Sequence, residues 1–317
     1  MAKLSVIILV YGVEKYIERC AISLFEQTLD DIEFIFVNDC TKDNSIEILK
    51  MVLERYPQRT SQVKVIDLPT NCGQAIARKY GMDMASGEYI IHCDSDDWVH
   101  PMAYEKLYSK AKTNDSDIVF CDFYISDGKN HKTLHRRINV NSRDSVLIDV
   151  SRNVCWSLCG AMVRRSLYSD NDIVFPKFNN GEDFALMFQY IYYANNFSKV
   201  DEPLYYYFMN SESITNIPSV TAYIKRYNQF KQNTDLVISF IAGHKKSSNS
   251  KKIVQCYKLY SRTKLSPLVR EERYFELWQS TYPELTFWDI MTNSIIPIRT
   301  RLHYIAVNLR IYHLLRK

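Results

Sequence analysis

Four short apolar runs alternate with segments of helical periodicity near the start of the chain, and this alternation limits the fold more than any other feature. The runs begin at Leu4, Ile32, Val63 and Tyr89. Apolar side chains recur every three or four residues in the segments between them, at residues 13–27, 46–52 and 74–85. Parallel strands need a crossover between them, and that crossover is usually a helix. The sequence therefore predicts an α/β fold with a doubly wound, mostly parallel sheet.

The fourth apolar run ends in a group of acidic residues. Asp94, Asp96 and Asp97 fall within a short stretch, and carboxylates this close repel one another unless a cation or hydrogen-bond donors lie among them. Oxygen ligands suit Mg²⁺ or Mn²⁺, which leave coordination positions open for substrate phosphates. We therefore expect Asp94 and Asp96 to form a metal-diphosphate site at the carboxyl end of a strand. Asp97 alone is expected to cap the helix predicted over residues 101–114.

The sheet is expected to continue after the acidic residues. Residues 118–124 form another apolar run, and residues 200–207 are typical of a turn followed by an edge strand. The polar segment between residues 126 and 145 carries five basic side chains, His131, Lys132, His135, Arg136 and Arg137. These side chains could form a mobile basic loop near a charged substrate, but a solvated surface loop is the favoured interpretation.

Two acidic residues stand at the start of a further predicted helix. Apolar side chains recur at helical spacing from Phe184 to Ala194, so Glu182 and Asp183 fall in its first turn. An acidic residue there can simply complement the helix dipole.

The character of the sequence changes near residue 220. A long helix is predicted over residues 223–241, a polar linker follows at residues 243–250, and further helical segments rich in tyrosine and basic residues complete the chain. We therefore predict a first domain over residues 1–220 and a helical C-terminal extension over residues 221–317.

The last segment, at about residues 295–317, is predicted to be a basic amphipathic helix. One stripe is apolar and contains Ile298, Leu302, Ile305, Leu309 and Tyr312. The adjoining stripe is basic and contains Arg299, His303, Arg310, His313 and Lys317. Such a helix can lie on an anionic membrane surface, or it can pack on its own domain or on a partner.

Composition excludes several other classes of protein. Eight cysteines are scattered through predicted strands and helices, which fits a reduced, cytoplasmic protein and gives no zinc-ligand spacing. The formal charge of +4 is modest, and we expect no nucleic-acid partner. We predict no signal peptide, because residues 1–3 lead straight into a predicted strand without a small-residue cleavage site. We predict no membrane-spanning segment, because no apolar run approaches about 18 residues. No Gly-x-Gly-x-x-Gly motif follows the first strand, so a dehydrogenase is disfavoured.

Several segments together resemble the inverting glycosyltransferases of family 2, which have the nucleotide-sugar-binding GT-A fold. The segments are residues 6–16, 37–45, 71–78, 87–90, 94–98, 181–183, 204–207 and 213–216. They run in the order of the family over about the first two thirds of the chain. Any one segment would be weak evidence, but the ordered set is specific.

The resemblance implies roles for residues of the donor site. Asp39 would accept the N3 proton of a uracil ring, and Tyr11 would line or stack on that base. Arg78 would meet the diphosphate, for which a planar guanidinium is suited. Asp96 would bind Mn²⁺ or Mg²⁺, with Asp94 on the metal or the ribose. Glu14 and Ser95 belong to the same donor-binding segments, and a UDP-sugar is the expected donor.

The resemblance also implies a single in-line displacement. Asp183 would be the general base that takes a proton from an acceptor hydroxyl, with Glu182 as its competitor for that role. An α-linked donor would then give a β-linked product. The acceptor would be a glycan or a lipid-linked molecule, and the basic C-terminal helix would bring the enzyme to the inner face of the cell membrane. Trp156 would shape the acceptor side or would simply be buried.

Some residues depart from the family pattern, and other functions stay open. Leu9 and Gly12 stand where the family usually has Pro and Asn, Asn38 replaces a frequent Asp, and Tyr80 replaces a frequent Asn. These departures bear on the choice of donor. One alternative is a nucleotidyltransferase that makes a nucleotide sugar, although the turn after the first strand offers one glycine only. Another alternative is a non-catalytic module that binds sugar nucleotides or glycans.

Overall fold

The computed structural model of the chain describes residues 2–153, 156–210, 219–244 and 247–311. Its first part alternates strands and helices as the sequence predicts. The order is β1 (Leu4–Val10), α1 (Ile17–Phe25), β2 (Ile32–Asn38), α2 (Ser45–Glu54), β3 (Val63–Asp67), α3 (Gln74–Asp83) and β4 (Tyr89–Asp94). Strands β1, β2 and β4 are almost wholly buried, as continuous runs of apolar side chains require in a parallel sheet.

Shorter elements follow the acidic residues. They are β5 (Trp98–Val99), α4 (Ala103–Thr113), β6 (Ile118–Ser126), β7 (His131–Leu134), α5 (Arg143–Asn153), β8 (Ala161–Arg164), α6 (Ser166–Ser169), α7 (Glu182–Tyr193) and β9 (Phe197–Phe208). The C-terminal part is helical, as predicted, with α8 (Val220–Gly243), α9 (Ser250–Thr263), α10 (Glu272–Ser280), α11 (Phe287–Thr292) and α12 (Ile298–Asn308).

The strands form one sheet in the order β3-β2-β1-β4-β8-β6-β9-β5, with β7 added beside β6. Strands β1 to β4 are mutually parallel where they pair, β8 runs antiparallel between β4 and β6, and β9 is parallel to β6. The sheet is therefore mostly parallel, which confirms the predicted fold class. Because Leu9 pairs with both Val37 and Asp94, the carboxyl ends of β1, β2 and β4 meet at one edge.

Side chains alternate between the two faces of the sheet. In β1, Val6 and Ile8 belong to an apolar cluster with α1, α2 and α4, whereas Ile7 faces a second cluster. The second cluster joins the sheet to α7 and to the C-terminal helices, including Phe230 of α8 and Tyr257 of α9. The predicted C-terminal extension thus shares a core with the sheet. The predicted boundary at residues 220 and 221 stays a prediction.

The predicted solvated basic loop is wrong for Arg136. Residues 131–134 form β7 on the edge of β6, and the Arg136 side chain is almost fully buried. Its guanidinium donates to the carbonyl oxygens of Gly160 at 3.0 Å and Ser157 at 2.7 Å and faces the ring of Phe123. A buried cation is tolerated here because backbone carbonyls satisfy its donors.

The predicted edge strand is also wrong in part. Strand β9 runs without a turn through residues 201–203 and pairs with β6 along its length, although Cys121 and Asp122 carry a register shift. Its other side pairs with the short strand β5 at Tyr205 and Tyr206. Strand β9 therefore lies inside the sheet and connects β6 to the residues that follow the acidic turn.

Helix α12 packs through a face that the sequence analysis did not select. Tyr304, Ala306 and Val307 are buried, whereas Ile298 and Leu302 of the predicted apolar stripe are 75% and 57% exposed. Of the predicted stripes, Tyr312, His313 and Lys317 lie outside the described residues. Within the described ranges, no helix has the length and apolarity needed to cross a membrane.

Candidate active site

The turns after β1 and β2 are tied together by hydrogen bonds. The amide of Gly12 donates to Thr41 Oγ1 at 2.9 Å, and the amide of Glu14 donates to Asp43 Oδ2 at 2.9 Å. In return, the Glu14 carboxylate accepts from the backbone and side-chain nitrogens of Asn44. Tyr11 stands at the end of β1 with 47% of its surface exposed. A ring in this position can stack on a ligand.

Asp39 fixes the turn that leads into α3. Its side chain is buried, and its two carboxylate oxygens accept from the amides of Cys72 at 2.7 Å and Gly73 at 2.8 Å. Gly73 has a φ of +82°, and a Cβ there would collide with the side-chain amide of Asn179. The Asn179 side chain also accepts from the amide of Ala75 at 3.1 Å, so the loop before α7 meets the start of α3.

The acidic turn after β4 is held by contacts with β1 and α1. The Ser95 hydroxyl donates to the carbonyl of Leu9 at 2.6 Å, and the Arg19 guanidinium donates to the carbonyl of Asp96 at 2.9 Å. The Arg19 side chain also lies over the ring of Trp98, 3.7 Å from its centroid. The sequence analysis did not identify Arg19, because α1 is far from the acidic turn in the sequence.

The predicted capping role of Asp97 is wrong. Helix α4 begins at Ala103, and its N-cap residue is Met102. The Asp97 carboxylate is instead buried, where it accepts from the Tyr205 hydroxyl at 2.6 Å and the Phe208 amide at 2.7 Å. Burial and the charge of Asp94 raise the pKa of Asp97 well above its usual range. Asp97 therefore joins the acidic turn to β9.

Asp94 and Asp96 remain as the candidate metal ligands. Burial raises the pKa of Asp96, and the charge of Asp94 raises it further, whereas a hydrogen bond from Asn210 lowers it. In the part of the chain that the structure describes, no group of three or more His, Cys, Asp or Glu side chains is arranged to hold a metal alone. The two carboxylates fit a divalent ion that takes its other ligands from phosphates and water.

A buried ion pair joins α3 to the first turn of α7. The Arg78 guanidinium is 3.4 Å from Glu182 Oε1, both side chains are buried, and Gln74 donates to the same oxygen. Burial raises the pKa of Glu182, as does the charge of Asp183, whereas Arg78 lowers it. Sequence reasoning missed this pairing because Arg78 and Glu182 come from separate segments.

Asp183 differs from Glu182 in its exposure. Asp183 is partly exposed whereas Glu182 is buried, and the carboxylate of Asp183 accepts a hydrogen bond from the adjacent Phe184 amide at 2.7 Å. Burial raises the pKa of Asp183, the charge of Arg78 lowers it, and the charge of Asp94 raises it. These charges act over short distances, so Asp94 and Arg78 both lie near Asp183.

Two further residues of the site come from the C-terminal helices. Asn233 of α8 is buried and donates to the carbonyls of Phe178 at 2.9 Å and Asn180 at 3.0 Å, which holds the loop before α7. Lys264, after α9, is close enough for its charge to lower the pKa of Asp183. The sequence analysis found neither residue. The segment 213–216, which it did select, lies outside the described residues.

Trp156 packs among aromatic rings that connect the sheet domain to the C-terminal helices. Its ring centroid lies 5.4 Å from that of Phe184 and 5.8 Å from that of Tyr260, and its side chain is partly buried. Because Phe184 follows Asp183 directly, Trp156 lies near the start of α7. A role on the acceptor side and a packing role are therefore compatible for Trp156.

Solved structures share this arrangement of sheet and helices. The crystal structure of S. aureus TarS 1-349 in complex with UDP-GlcNAc aligns with a TM-score of 0.70 over 98% of this chain and 89% of that chain, at 21% identity. The mannosyltransferase PcManGT from Pyrobaculum calidifontis, in complex with GDP-Man and Mn²⁺, aligns with a TM-score of 0.58 over 98% and 86% of the two chains, at 15% identity. The fold is therefore that of the GT-A glycosyltransferases.

Sequence comparison identifies the family. Residues 5–171 match the profile described as Glycosyl transferase family 2. The poly(ribitol-phosphate) beta-N-acetylglucosaminyltransferase TarP of Staphylococcus aureus (strain N315) is 30% identical over 227 residues, which are 69% of this chain and 67% of TarP. The chain belongs to glycosyl transferase family 2, and the resemblance inferred from its motifs is confirmed.

Other relatives match the same part of the chain. The uncharacterized glycosyltransferase EpsJ of Bacillus subtilis (strain 168) is 32% identical over 222 residues, which cover 68% of this chain and 63% of EpsJ. The putative glycosyltransferase EpsH of the same strain is 31% identical, with 62% of its length covered. The chain therefore spans somewhat less than two thirds of these two relatives.

Proposed function

We propose that the protein is a metal-dependent inverting glycosyltransferase that moves a sugar from a nucleotide-diphosphate donor to a hydroxyl of a glycan or lipid-linked acceptor. One observation carries the proposal. The charges of Asp94 and Asp183 both act on Arg78, so a carboxylate suited to a metal-diphosphate and a carboxylate suited to proton transfer lie near the same guanidinium. An in-line displacement needs a leaving group and a base on opposite sides of one reacting carbon.

The donor is proposed to be a UDP-sugar. The exposed ring of Tyr11 supports stacking on a base, and the buried carboxylate of Asp39 supports acceptance of the uracil N3 proton. Each carboxylate oxygen has a second lone pair, so the bonds from Cys72 and Gly73 leave capacity for that proton. Glu14 and Ser95 would shape the donor site by fixing the turns around it. The TarS structure with UDP-GlcNAc is consistent with such a donor.

Asp96 and Asp94 are proposed to hold Mn²⁺ or Mg²⁺ together with the donor diphosphate. When bound, the metal would stabilise negative charge on the departing diphosphate. Arg78 is proposed to add positive potential at the same place, since its charge reaches Asp94. Its buried ion pair with Glu182 would keep the guanidinium fixed in position.

Asp183 is proposed as the general base in preference to Glu182. Glu182 is buried, and its carboxylate oxygen already accepts from Gln74 and Arg78. Asp183 is partly exposed, and one of its carboxylate oxygens accepts no hydrogen bond from the described residues. A carboxylate whose pKa is raised by burial is a better proton acceptor than one in water. Attack opposite the diphosphate would invert the anomeric configuration.

The acceptor is proposed to belong to a bacterial surface polysaccharide. TarP is named for transfer to poly(ribitol-phosphate), and a related enzyme of Bacillus spizizenii is named as a poly(ribitol-phosphate) beta-glucosyltransferase. A phosphate-containing polyol chain is therefore one acceptor to test beside neutral glycans. The glycine-poor turn after β1 gives no comparable support to a nucleotidyltransferase.

The proposal is tested with a panel of UDP-, GDP- and dTDP-sugars, each offered with Mn²⁺ and with a chelator. We expect nucleoside diphosphate release with a UDP-sugar and Mn²⁺, and its loss on chelation. The product is analysed by NMR, and an α-linked donor should give a β-linked product. Release of pyrophosphate from a nucleoside triphosphate and a sugar phosphate would instead identify a nucleotidyltransferase.

A place on the inner face of the cell membrane is proposed as well. Ile298, Leu302 and Leu309 leave an apolar strip exposed on α12, and Trp288 of α11 is 72% exposed. No acidic residue follows Asp289, so anionic lipids would be attracted. Cosedimentation with phosphatidylglycerol vesicles tests this location, with phosphatidylcholine vesicles as the control. The double variant Ile298→Ser, Leu302→Ser should bind less, and equal binding by the variant would exclude this strip.

A further inference from the structure

The C-terminal part of the chain brings a lysine near the start of α7. The Lys264 ammonium lies 4.5 Å from the centroid of the Phe230 ring, and Phe230 stacks on Phe184 with centroids 5.5 Å apart. Phe184 directly follows Asp183. The two stacked rings therefore connect the end of α9 to the first turn of α7, which contains the proposed base.

The surroundings of Lys264 leave its charge poorly balanced. Burial lowers the pKa of Lys264, the negative charge of Asp183 raises it, and the positive charge of Arg226 lowers it again. Among the described residues, no oxygen forms a hydrogen bond or an ion pair with its ammonium, and the contact with Phe230 is what stabilises the charge. An ammonium that is partly removed from water and has no oxygen partner is energetically unfavourable.

A second cation lies nearby. Arg226 of α8 lies over the ring of Tyr223, 4.6 Å from its centroid, and its charge lowers the pKa of Lys264. Asp183 supplies negative charge but forms no hydrogen bond or ion pair with Lys264. A substrate anion can supply the oxygen partner that the ammonium lacks among the described residues.

We propose that Lys264 binds a phosphate group of a substrate near Asp183, where the acceptor hydroxyl would meet the proposed base. The inference rests on the proposed function only for the position of that hydroxyl. Ammonium and guanidinium groups both bind phosphate through charge-assisted hydrogen bonds. The phosphate can come from the acceptor or from the donor diphosphate, and the two sources are separable by experiment.

The test is isothermal titration of the whole chain with two probes. UDP with Mg²⁺ is titrated first, and inorganic phosphate is then titrated into protein with and without saturating UDP and Mg²⁺. Lys264→Met removes the charge and keeps the length of the side chain. Lys264→Arg restores a positive charge that can donate hydrogen bonds to phosphate. Lys251→Met is the matched control, because Lys251 is an exposed lysine of α9, the helix that ends directly before Lys264. Circular dichroism checks that each variant is folded.

If the phosphate belongs to the acceptor, Lys264→Met weakens phosphate binding to UDP-loaded protein about tenfold and leaves UDP affinity unchanged. If it belongs to the donor, UDP affinity falls about tenfold instead. In both cases Lys264→Arg restores most of the affinity and Lys251→Met has no effect. The proposal is overturned if both affinities in Lys264→Met stay within about twofold of the wild type.

The same titrations separate this inference from the proposed function. If wild-type protein does not bind UDP, the proposed donor is wrong, yet phosphate binding to the nucleotide-free protein still decides the role of Lys264. If wild-type protein binds UDP but not phosphate, and Lys264→Met leaves UDP affinity unchanged, the inference alone is overturned.

Discussion

The hydroxyl of Tyr205 is shared by two residues of the acidic turn. It donates to Asp97 Oδ2 at 2.6 Å and accepts from the amide of Asp94 at 3.1 Å. Both partners lose water when the turn packs on β9, so neither can easily find another partner. This one hydroxyl therefore fixes the acidic turn against the neighbouring strand.

Tyr205→Phe should lower the free energy of unfolding by about 2 kcal/mol, because it leaves two polar partners unsatisfied. It should also weaken Mn²⁺ binding, since Asp94 and Asp96 belong to the same turn. Urea denaturation and manganese titration check the two effects. Tyr206→Phe is the control, because the Tyr206 ring stacks between Trp98 and Tyr124 and its hydroxyl has no hydrogen bond in the described residues. Equal stability of both variants would contradict the assigned role of Tyr205.

At the residue scale, the sequence identified the candidate donor-binding and metal-binding residues because they stand in recognisable motifs. It could not identify their partners. Arg78 meets Glu182, and Lys264 comes near Asp183, only after distant segments pack together, and no spacing rule connects such segments. Asp97 was misassigned because a carboxylate before a helix usually caps it. Here burial under β9 removes Asp97 from the helix start.

At the scale of elements, Glu33 stabilises the amino end of the sheet. Its carboxylate on β2 accepts from the Ser5 hydroxyl of β1 and from the Gly87 amide before β4, and it pairs with Lys64 of β3 at 2.8 Å. Burial alone would raise the pKa of Glu33, but these partners lower it to about 2. One side chain thus joins four parallel strands at the end opposite the site.

The lowered pKa of Glu33 predicts a pH dependence of stability. Because its pKa is lower in the folded state, its contribution is fully present above the unfolded pKa near 4.3 and is lost as the pH falls through about 2. Glu33→Gln should cost about 3 kcal/mol at pH 7, with the difference from wild type shrinking below about pH 4. Urea denaturation across this range measures the difference. A difference independent of pH would contradict the assignment.

The sequence predicted the long buried strands and the helices between them well, because each apolar run ends where polar turn residues begin. It did not predict β7 and β8, which are four residues each and depend on pairing with β6. It also placed Arg136 in solvent. Burial of Arg136 depends on the carbonyls of Ser157 and Gly160, which a local pattern cannot reveal.

At the scale of the whole molecule, the C-terminal helices and the sheet share one apolar cluster. Phe184 of α7 stacks on Phe230 of α8 and meets Tyr257 of α9 edge-on, with centroids 5.5 Å and 4.4 Å apart. The Ser151 hydroxyl of α5 is 2.6 Å from that of Tyr257. These contacts bury side chains on both sides of the predicted boundary, so the two parts support each other.

A fragment that ends at residue 219 should therefore not fold as the whole chain does. Removal of α8 to α12 would expose the apolar side of α7 and leave the loop before Asp183 without Asn233. We expect the fragment to bind a hydrophobic dye and to unfold without a sharp transition. Thermal unfolding followed by circular dichroism checks this. A cooperative transition near that of the full chain would support an independent domain over residues 1–220.

The central claim is that one cleft joins a metal-diphosphate site at Asp94 and Asp96 to a base at Asp183. The most direct test measures UDP affinity and nucleoside diphosphate release, both with Mn²⁺, in wild type, Asp183→Asn and Asp96→Asn. Asp183→Asn should keep UDP affinity within about twofold and lose at least about 100-fold in turnover, while Asp96→Asn should lose Mn²⁺-dependent UDP affinity. Wild-type turnover in Asp183→Asn, or unchanged UDP affinity in Asp96→Asn, would contradict the claim.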